Sequence, residues 1–213
     1  STKPNPAKGL RVSTTVSFAS KWLAPRLSRF RQRYPDVDIQ LDVTDSNVDL
    51  NDGQVDAAIR YGLGHYRDVS YERIFDETVT PVCSPGFLKE QNGLTEIKDL
   101  SNCVLLHEYR MLANWEAWFE MAGEKNFCCH HGPLWTLGSM ATEAAIRGEG
   151  VALGRSVLVA DDVAAGRLVV PFPQYKLKAE RGYDLVYRSD NQDSFKIRIL
   201  RQWLSEEMSL LED

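Results

Sequence analysis

Ser13, Thr14, Thr15 and Ser17 put four hydroxyls into five residues, directly after a short apolar run at 10–12. In open α/β sheets, ligands bind where a strand ends and a helix begins, and the free N–H groups of the helix N-terminus favour an anion. Hydroxyls there donate to a carboxylate without adding fixed charge. Ser and Thr are also preferred helix caps, so plain capping competes with binding. Arg60 and Tyr61 end a second apolar stretch, VDAAIRY at 55–61, at the same edge of the sheet. An arginine at that edge can clamp a carboxylate bidentately, or form a surface ion pair with Asp56 or Glu77. His107, after CVLL, and Ser139, at a helix start, would face these residues from the second half of the chain. A single histidine is more often a structural residue than a ligand contact.

Other patterns carry less chemistry. Cys128, Cys129, His130 and His131 are all metal-ligating types, but adjacent side chains diverge and cannot converge tetrahedrally on one ion, so no metal is expected. Gly148, Gly150 and Gly154 leave a helix and enter a strand, the reverse of a phosphate cradle. There is no G-x-S-x-G and no H-E-x-x-H, nothing orders the Ser and His residues into a triad, and no residue calls for a cofactor. An enzyme is therefore not expected. Arg26, Arg29, Arg31 and Arg33 spread around one helix and read as a solvated or partner-facing surface.

The elements that position these residues follow from periodicity. A strand at 10–12 leads into a helix ending near Arg33, with Trp22, Leu23, Leu27 and Phe30 near helical spacing and Pro25 tolerable only in its first turn. Strands at 37–43 and 55–61 flank a helical turn at 49–53, which together make a parallel βαβαβ unit. A strand at 79–83 ends in the turn signal Ser84-Pro85-Gly86, and another covers 103–106. Asn114 caps a helix bearing Trp115, Trp118, Phe119 and Ala122, stopped by Gly123. In the stretch 138–172, GSMATEAAIRGEGVALGRSVLVADDVAAGRLVVPF, a helix with Met140, Ala141, Ala144 and Ala145 on one side stops at Gly148 and Gly150. It is followed by a strand at 151–153, a helix at 157–165 stopped by Gly166, and a strand at 168–170. A strand at 183–187 precedes an amphipathic helix opened by Ser194 and carrying Ile197, Leu200, Leu204 and Met208.

With 213 residues, 43% hydrophobic and 26% charged, the chain has ordinary globular composition and room for two lobes. A net charge of −5 argues against a nucleic-acid surface on this segment. No apolar run is long enough to span a membrane and no signal peptide opens the chain. Four scattered cysteines suit reduced thiols and a cytoplasmic location better than a disulfide scaffold. Residues 1–9, beginning STKPNPAK, read as a linker remnant.

The order of these landmarks resembles the effector-binding domain of LysR-type transcriptional regulators, over about 10–208. They are LRVSTTVSFASKWLAPRLSRFRQRYPDVDI at 10–39, GQVDAAIRYG at 53–62, PVCSPGFL at 81–88, LLHE at 105–108, the 138–172 stretch, and YDLVYR at 183–188. Within that family the chain is most similar to the subgroup of glycine-cleavage and β-lactamase regulators. The resemblance implies a two-lobed α/β fold like that of periplasmic solute-binding proteins, each lobe a mostly parallel sheet flanked by helices. Lobe one is expected at 10–82 plus 185–213 and lobe two at 83–184, joined by crossings near 81–84 and 183–188. It implies a small-molecule effector in the cleft between the lobes, contacted by the loop holding Thr15 and Ser17, and a carboxylate or amino acid is the expected class. It further implies a homodimer, possible as part of a tetramer, in which the helix from Lys21 to Arg33 lies against the partner's helix from Met140 to Arg147. DNA would be bound by a winged helix-turn-helix that this chain lacks. Members of the subgroup often carry an Asp-Ser pair where Leu137, Gly138 and Ser139 stand here, so the residue holding a ligand amine is not carried over. A periplasmic solute-binding protein is the rival reading.

Overall fold

The computed structural model describes residues 9–127 and 131–210; the linker remnant before Gly9, and Cys128, Cys129 and His130, lie outside the described residues. Two compact units divide the chain: Ser1–Asp76 with Arg181–Asp213, and Glu77–Glu180.

The first unit opens with β1 (Gly9–Thr14) and a continuous helical segment made of α1 (Val16–Phe18), a π turn at Ala19–Leu23, a 3-10 turn at Ala24–Arg26 and α2 (Leu27–Arg33). It continues through β2 (Asp38–Val43), β3 (Ala57–Gly62) and β4 (Ser70–Phe75). The chain then enters the second unit as β5 (Thr78–Val82), followed by α3 (Pro85–Glu90), β6 (Leu105–Glu108) and α4 (Trp115–Met121). After these come β7 (Leu134–Trp135), α5 (Gly138–Ile146), β8 (Val151–Arg155), α6 (Ser156–Ala164) and β9 (Leu177–Lys178). Finally β10 (Gly182–Tyr187) and α7 (Phe195–Ser209) return to the first unit.

Each unit holds one five-stranded mixed sheet, in the orders β2-β1-β3-β10-β4 and β7-β6-β8-β5-β9. The two follow one plan. Three parallel strands form half of each sheet, and the first strand after each crossing, β5 or β10, joins antiparallel. This pairing moves two boundaries from their sequence-based positions. β5, expected in lobe one, hydrogen-bonds β8 and β9 in the second sheet, and Gly182–Asp184, expected in lobe two, belong to β10 in the first. The partner strands decide the assignment, and they are remote in sequence.

Local expectations hold where capping chemistry is explicit. Asn114 accepts from the Ala117 N–H at 3.0 Å and Ser194 from Ile197 N–H at 3.4 Å, opening α4 and α7. Gly148 and Gly166 adopt φ of 77° and 72° just past α5 and α6, the left-handed geometry that ends a helix. Three expectations do not hold. Ser84-Pro85-Gly86 opens α3 rather than making a turn: Ser84 Oγ accepts from Phe87 N–H, and Pro85 takes the first helical position, where its missing N–H costs nothing. The segment 168–170 forms no ladder strand and touches β5's end only through a Val169–Cys83 bridge. Pro25 lies well inside its helix, not in the first turn. The helix accommodates it by widening to π over Ala19–Leu23 and tightening to 3-10 at Pro25, which re-routes the bonds a proline interrupts. Arg26 completes the repair by donating from Nη1 to the Trp22 carbonyl at 2.9 Å.

Arg26 is therefore not a surface residue. It is 4% exposed, and its Nε lies 3.9 Å from Glu207 of α7. Arg29 donates to the same carboxylate through Nε at 2.8 Å and through Nη2. This clamp, buried on the Glu207 and Arg26 side and half exposed at Arg29, joins α2 and α7 over the first sheet, where Phe30 and Trp203 meet edge-to-face at 5.2 Å.

In the second unit Ala144 and Ala145 of α5 are buried against Val82, Leu106 and Ala152, and Ala141 is buried as well. The small-residue side of α5, expected to face a partner, faces its own sheet. Its outward residues are Met140 and Glu143. Ala144→Arg should therefore destabilise the fold by about 3 kcal/mol or more in thermal or denaturant unfolding. Met140→Arg, at a side chain 43% exposed, should stay within about 0.5 kcal/mol of the native protein.

Candidate functional site

The hydroxyl cluster lies at the carboxyl edge of the parallel half of the first sheet, where β1 gives way to α1. Its members have different surroundings. Ser13 Oγ accepts from Arg60 Nη2, and Thr14 is fully buried with its hydroxyl 3.4 Å from the Thr15 carbonyl. Thr15 occupies the cap position but makes no side-chain cap bond. The cap comes instead from Asp45, whose Oδ1 accepts the Val16 N–H at 3.0 Å. Thr15 Oγ1 is thus buried with no hydrogen-bond partner among the described residues. Buried polar atoms are nearly always paired, and an unpaired hydroxyl costs about 1–3 kcal/mol, so a hydroxyl left open beside a helix start calls for a ligand or water. Ser17 is buried inside the first helical turn, two residues past the cap position.

Arg60 and Tyr61 part company. Successive strand residues point to opposite faces. Tyr61 packs at a tilt against Tyr183, ring centres 5.1 Å apart, and Tyr183 itself lies 4.7 Å from Phe18, on the helix-covered face. Arg60 turns to the other face, 8% exposed, donating from Nη1 to the Thr44 carbonyl at 2.7 Å and from Nη2 to Ser13. Its expected partners are taken elsewhere: Asp56 pairs with Lys196, and Glu77 with Arg155. Burial lowers the Arg60 pKa from the ordinary guanidinium value, opposed by Asp45 and Asp42. Arg60 therefore braces the loop after β2 to β1. Beside it Asp184, fully buried in β10, accepts from Tyr66 Oη at 2.9 Å and from Arg73 Nε at 2.5 Å, and burial followed by the Asp184 bond pushes the Tyr66 phenol well above its usual range.

In the second unit, Ser139 is buried in the first turn of α5, and half-buried His107 lies on β6 beside β7, where its N–H donates to the Pro133 carbonyl at 2.9 Å. Their neighbours include residues that no local spacing signals. Arg155, the last residue of β8, donates from Nε to Glu77 Oε2 at 3.0 Å and from Nη1 to Glu108 Oε1 at 2.8 Å. Among the described residues no three His, Cys, Asp or Glu side chains gather as a metal site. Burial raises the Cys83 thiol to about 11, which leaves it unreactive at neutral pH.

The candidates thus fall into three groups: Thr14, Thr15, Ser17 and Tyr61 about α1; Arg60 on the opposite face; and His107 with Ser139 in the second unit. Tyr183, Glu108 and Arg155 join them from the structure. If Arg60 is a brace and Thr15 an open hydroxyl, their variants should behave oppositely in the ligand-free protein. Arg60→Met should lose about 2 kcal/mol in denaturant unfolding, because two carbonyl or hydroxyl acceptors lose a charged donor. Thr15→Val should leave stability unchanged or raise it by about 1 kcal/mol.

The chain matches the family model described as LysR substrate binding domain over residues 4–209. It is 36% identical over 199 residues to the glycine cleavage system transcriptional activator of Escherichia coli K12, covering 93% of this chain and 65% of that protein. It is 31% identical over 198 residues to the HTH-type transcriptional activator AmpR of Rhodobacter capsulatus, covering 92% of this chain and 65% of that one. Among solved structures, the effector domain of AmpR of Pseudomonas aeruginosa superposes with a TM-score of 0.78 at 27% identity, covering 95% of this chain and 96% of that one. The chain therefore spans about two thirds of the length of these curated relatives, which are transcriptional regulators, and a solute-binding protein is not favoured. Among the described residues no helix is long and apolar enough to cross a membrane. Sequence, sheet order and likeness to a solved effector domain agree, and the chain belongs to the LysR substrate-binding domain family, as the effector-binding domain of a LysR-type regulator.

Proposed function

We propose that this domain senses a small carboxylate-bearing molecule, an amino acid or organic acid, in a cytoplasmic transcriptional regulator. The observation that carries this reading is the buried, unpartnered hydroxyl of Thr15 at the carboxyl edge of a parallel sheet. Thr14 and Ser17 flank the same helix start, Tyr61 lies near Phe18 through Tyr183, and Ser139 is the candidate residue of the second unit. Arg60 is left out, since its donors already serve Thr44 and Ser13. A relative named for glycine cleavage makes an amino acid the first class to try. The effector acts by differential binding, stabilising one arrangement of the regulator over another, and DNA is contacted by a helix-turn-helix region outside this sequence.

A homodimer pairs the helix from Lys21 to Arg33 with the partner's helix from Met140 to Arg147. Met140 and Glu143 replace the alanines as the contacting residues of α5, since the alanines are buried in their own lobe. Met140→Arg should then sediment as a monomer where the native domain is a dimer, with its fold intact. A dimer that persists in that variant counts against this interface.

Ligand binding is tested by thermal shift with small amino acids and organic acids, since a ligand at 100 times its Kd adds about 2.7 kcal/mol of stability. Thr15→Val and Ser17→Ala should each weaken binding by about tenfold without lowering the melting temperature of the free protein. Undiminished affinity in both variants contradicts the site.

A further inference from the structure

We infer that the first unit holds a second ligand site, on the sheet face away from α1, which takes a compact carboxylate with an apolar body against Arg60. It is independent of the Thr15 site at the start of α1.

A cavity of about 330 Å³ lies there, walled by residues of 47–51 and 65–69. That volume is at the small end of the roughly 300–1,000 Å³ usual for small-molecule sites. Ala58 and Val186, opposite each other in β3 and β10, form a buried apolar floor with Leu50. Arg60 stands two residues after Ala58, on the same face of β3, and lines the same cavity. His65 and Arg67 are exposed on its rim. Every lining residue belongs to the first unit.

Arg60 is buried, yet it forms no ion pair among the described residues. Bracing Thr44 and Ser13 uses two of its five N–H groups, both on neutral oxygens, and three remain. The carboxylates around it are engaged or remote. Asp184, opposite it in β10, accepts from Tyr66 and Arg73, and Asp45 accepts the Val16 N–H. Asp45 and Asp42 act on Arg60 only through space and do not offset its burial. Asp49 is the one carboxylate on the cavity wall, and its Oδ1 accepts the Asn51 N–H. The Arg67 and His65 side chains form no hydrogen bond or ion pair among the described residues. Burial without an anion disfavours the Arg60 charge, and a carboxylate seated beside it makes a charge-assisted pair. The apolar floor next to that charge asks for a ligand with an apolar body.

The test titrates the chain with isovalerate and with its neutral counterpart isovaleramide, following amide shifts by nitrogen-15 NMR. Isovalerate should give saturable shifts at Ala58, Arg60, Val69 and Val186, and isovaleramide should bind there about tenfold or more weakly. Arg67→Ala, at an exposed side chain, should weaken isovalerate at these positions by about threefold. Arg60→Met should abolish those shifts, and Thr15→Val should leave them unchanged. No saturable shift at the four residues overturns the inference, as does equal binding of the amide. So does loss of these shifts in Thr15→Val, which would make them a consequence of the other site. If Arg60→Met does not fold, Arg67→Ala decides with the amide, and an affinity unchanged in Arg67→Ala overturns the inference. The Thr15 reading stands or falls separately, on its own variants.

Discussion

Arg155 lies at the junction of four elements of the second lobe. Its backbone caps α6, its Nε holds Glu77 at the point where the chain enters the lobe, and its Nη1 holds Glu108 at the end of β6. The same guanidinium and its carboxylate fill the space above Gly138 at the start of α5. Burying three charged groups is costly unless they satisfy each other, and removing one member of such a set typically costs about 3–5 kcal/mol. The ion bridge therefore fixes the geometry of the edge that carries Ser139 and Glu108.

The first lobe reaches a comparable edge with different chemistry. Its helix must pass Pro25, and does so by a π turn followed by a 3-10 turn, with Arg26 serving the Trp22 carbonyl and lying near Glu207. Asp45 supplies the cap that Thr15 does not, which leaves the Thr15 hydroxyl open. Arg60 ties the loop after β2 to β1 from the opposite face. The arginine donors of this edge thus serve rigidity, while the Thr15 hydroxyl stays open.

The sequence carried the family, the parallel half of the first sheet and most helix ends, because periodicity, caps such as Asn114 and Ser194, and glycines such as Gly148 and Gly166 act locally. It did not carry the sheet assignment of β5 or of the first residues of β10, since an antiparallel strand joins whichever sheet supplies its partner. β4, with exposed Tyr71 and buried Ile74 on an edge strand, lacked a strong pattern, and β7 and β9 are two-residue pairings. Pro25 misled because π and 3-10 adjustments are tertiary accommodations. The hydroxyl cluster was legible as a location, but which hydroxyl lacks a partner depends on Asp45 and Arg60. Glu108 was visible only as the end of LLHE; its role follows from Arg155, separated from it by 47 positions.

The most direct measurement is a nitrogen-15 amide shift map of the domain titrated with small amino acids. The account predicts saturable shifts centred on Thr14, Thr15 and Ser17. Saturable shifts confined to other residues, with these positions unmoved, would contradict it.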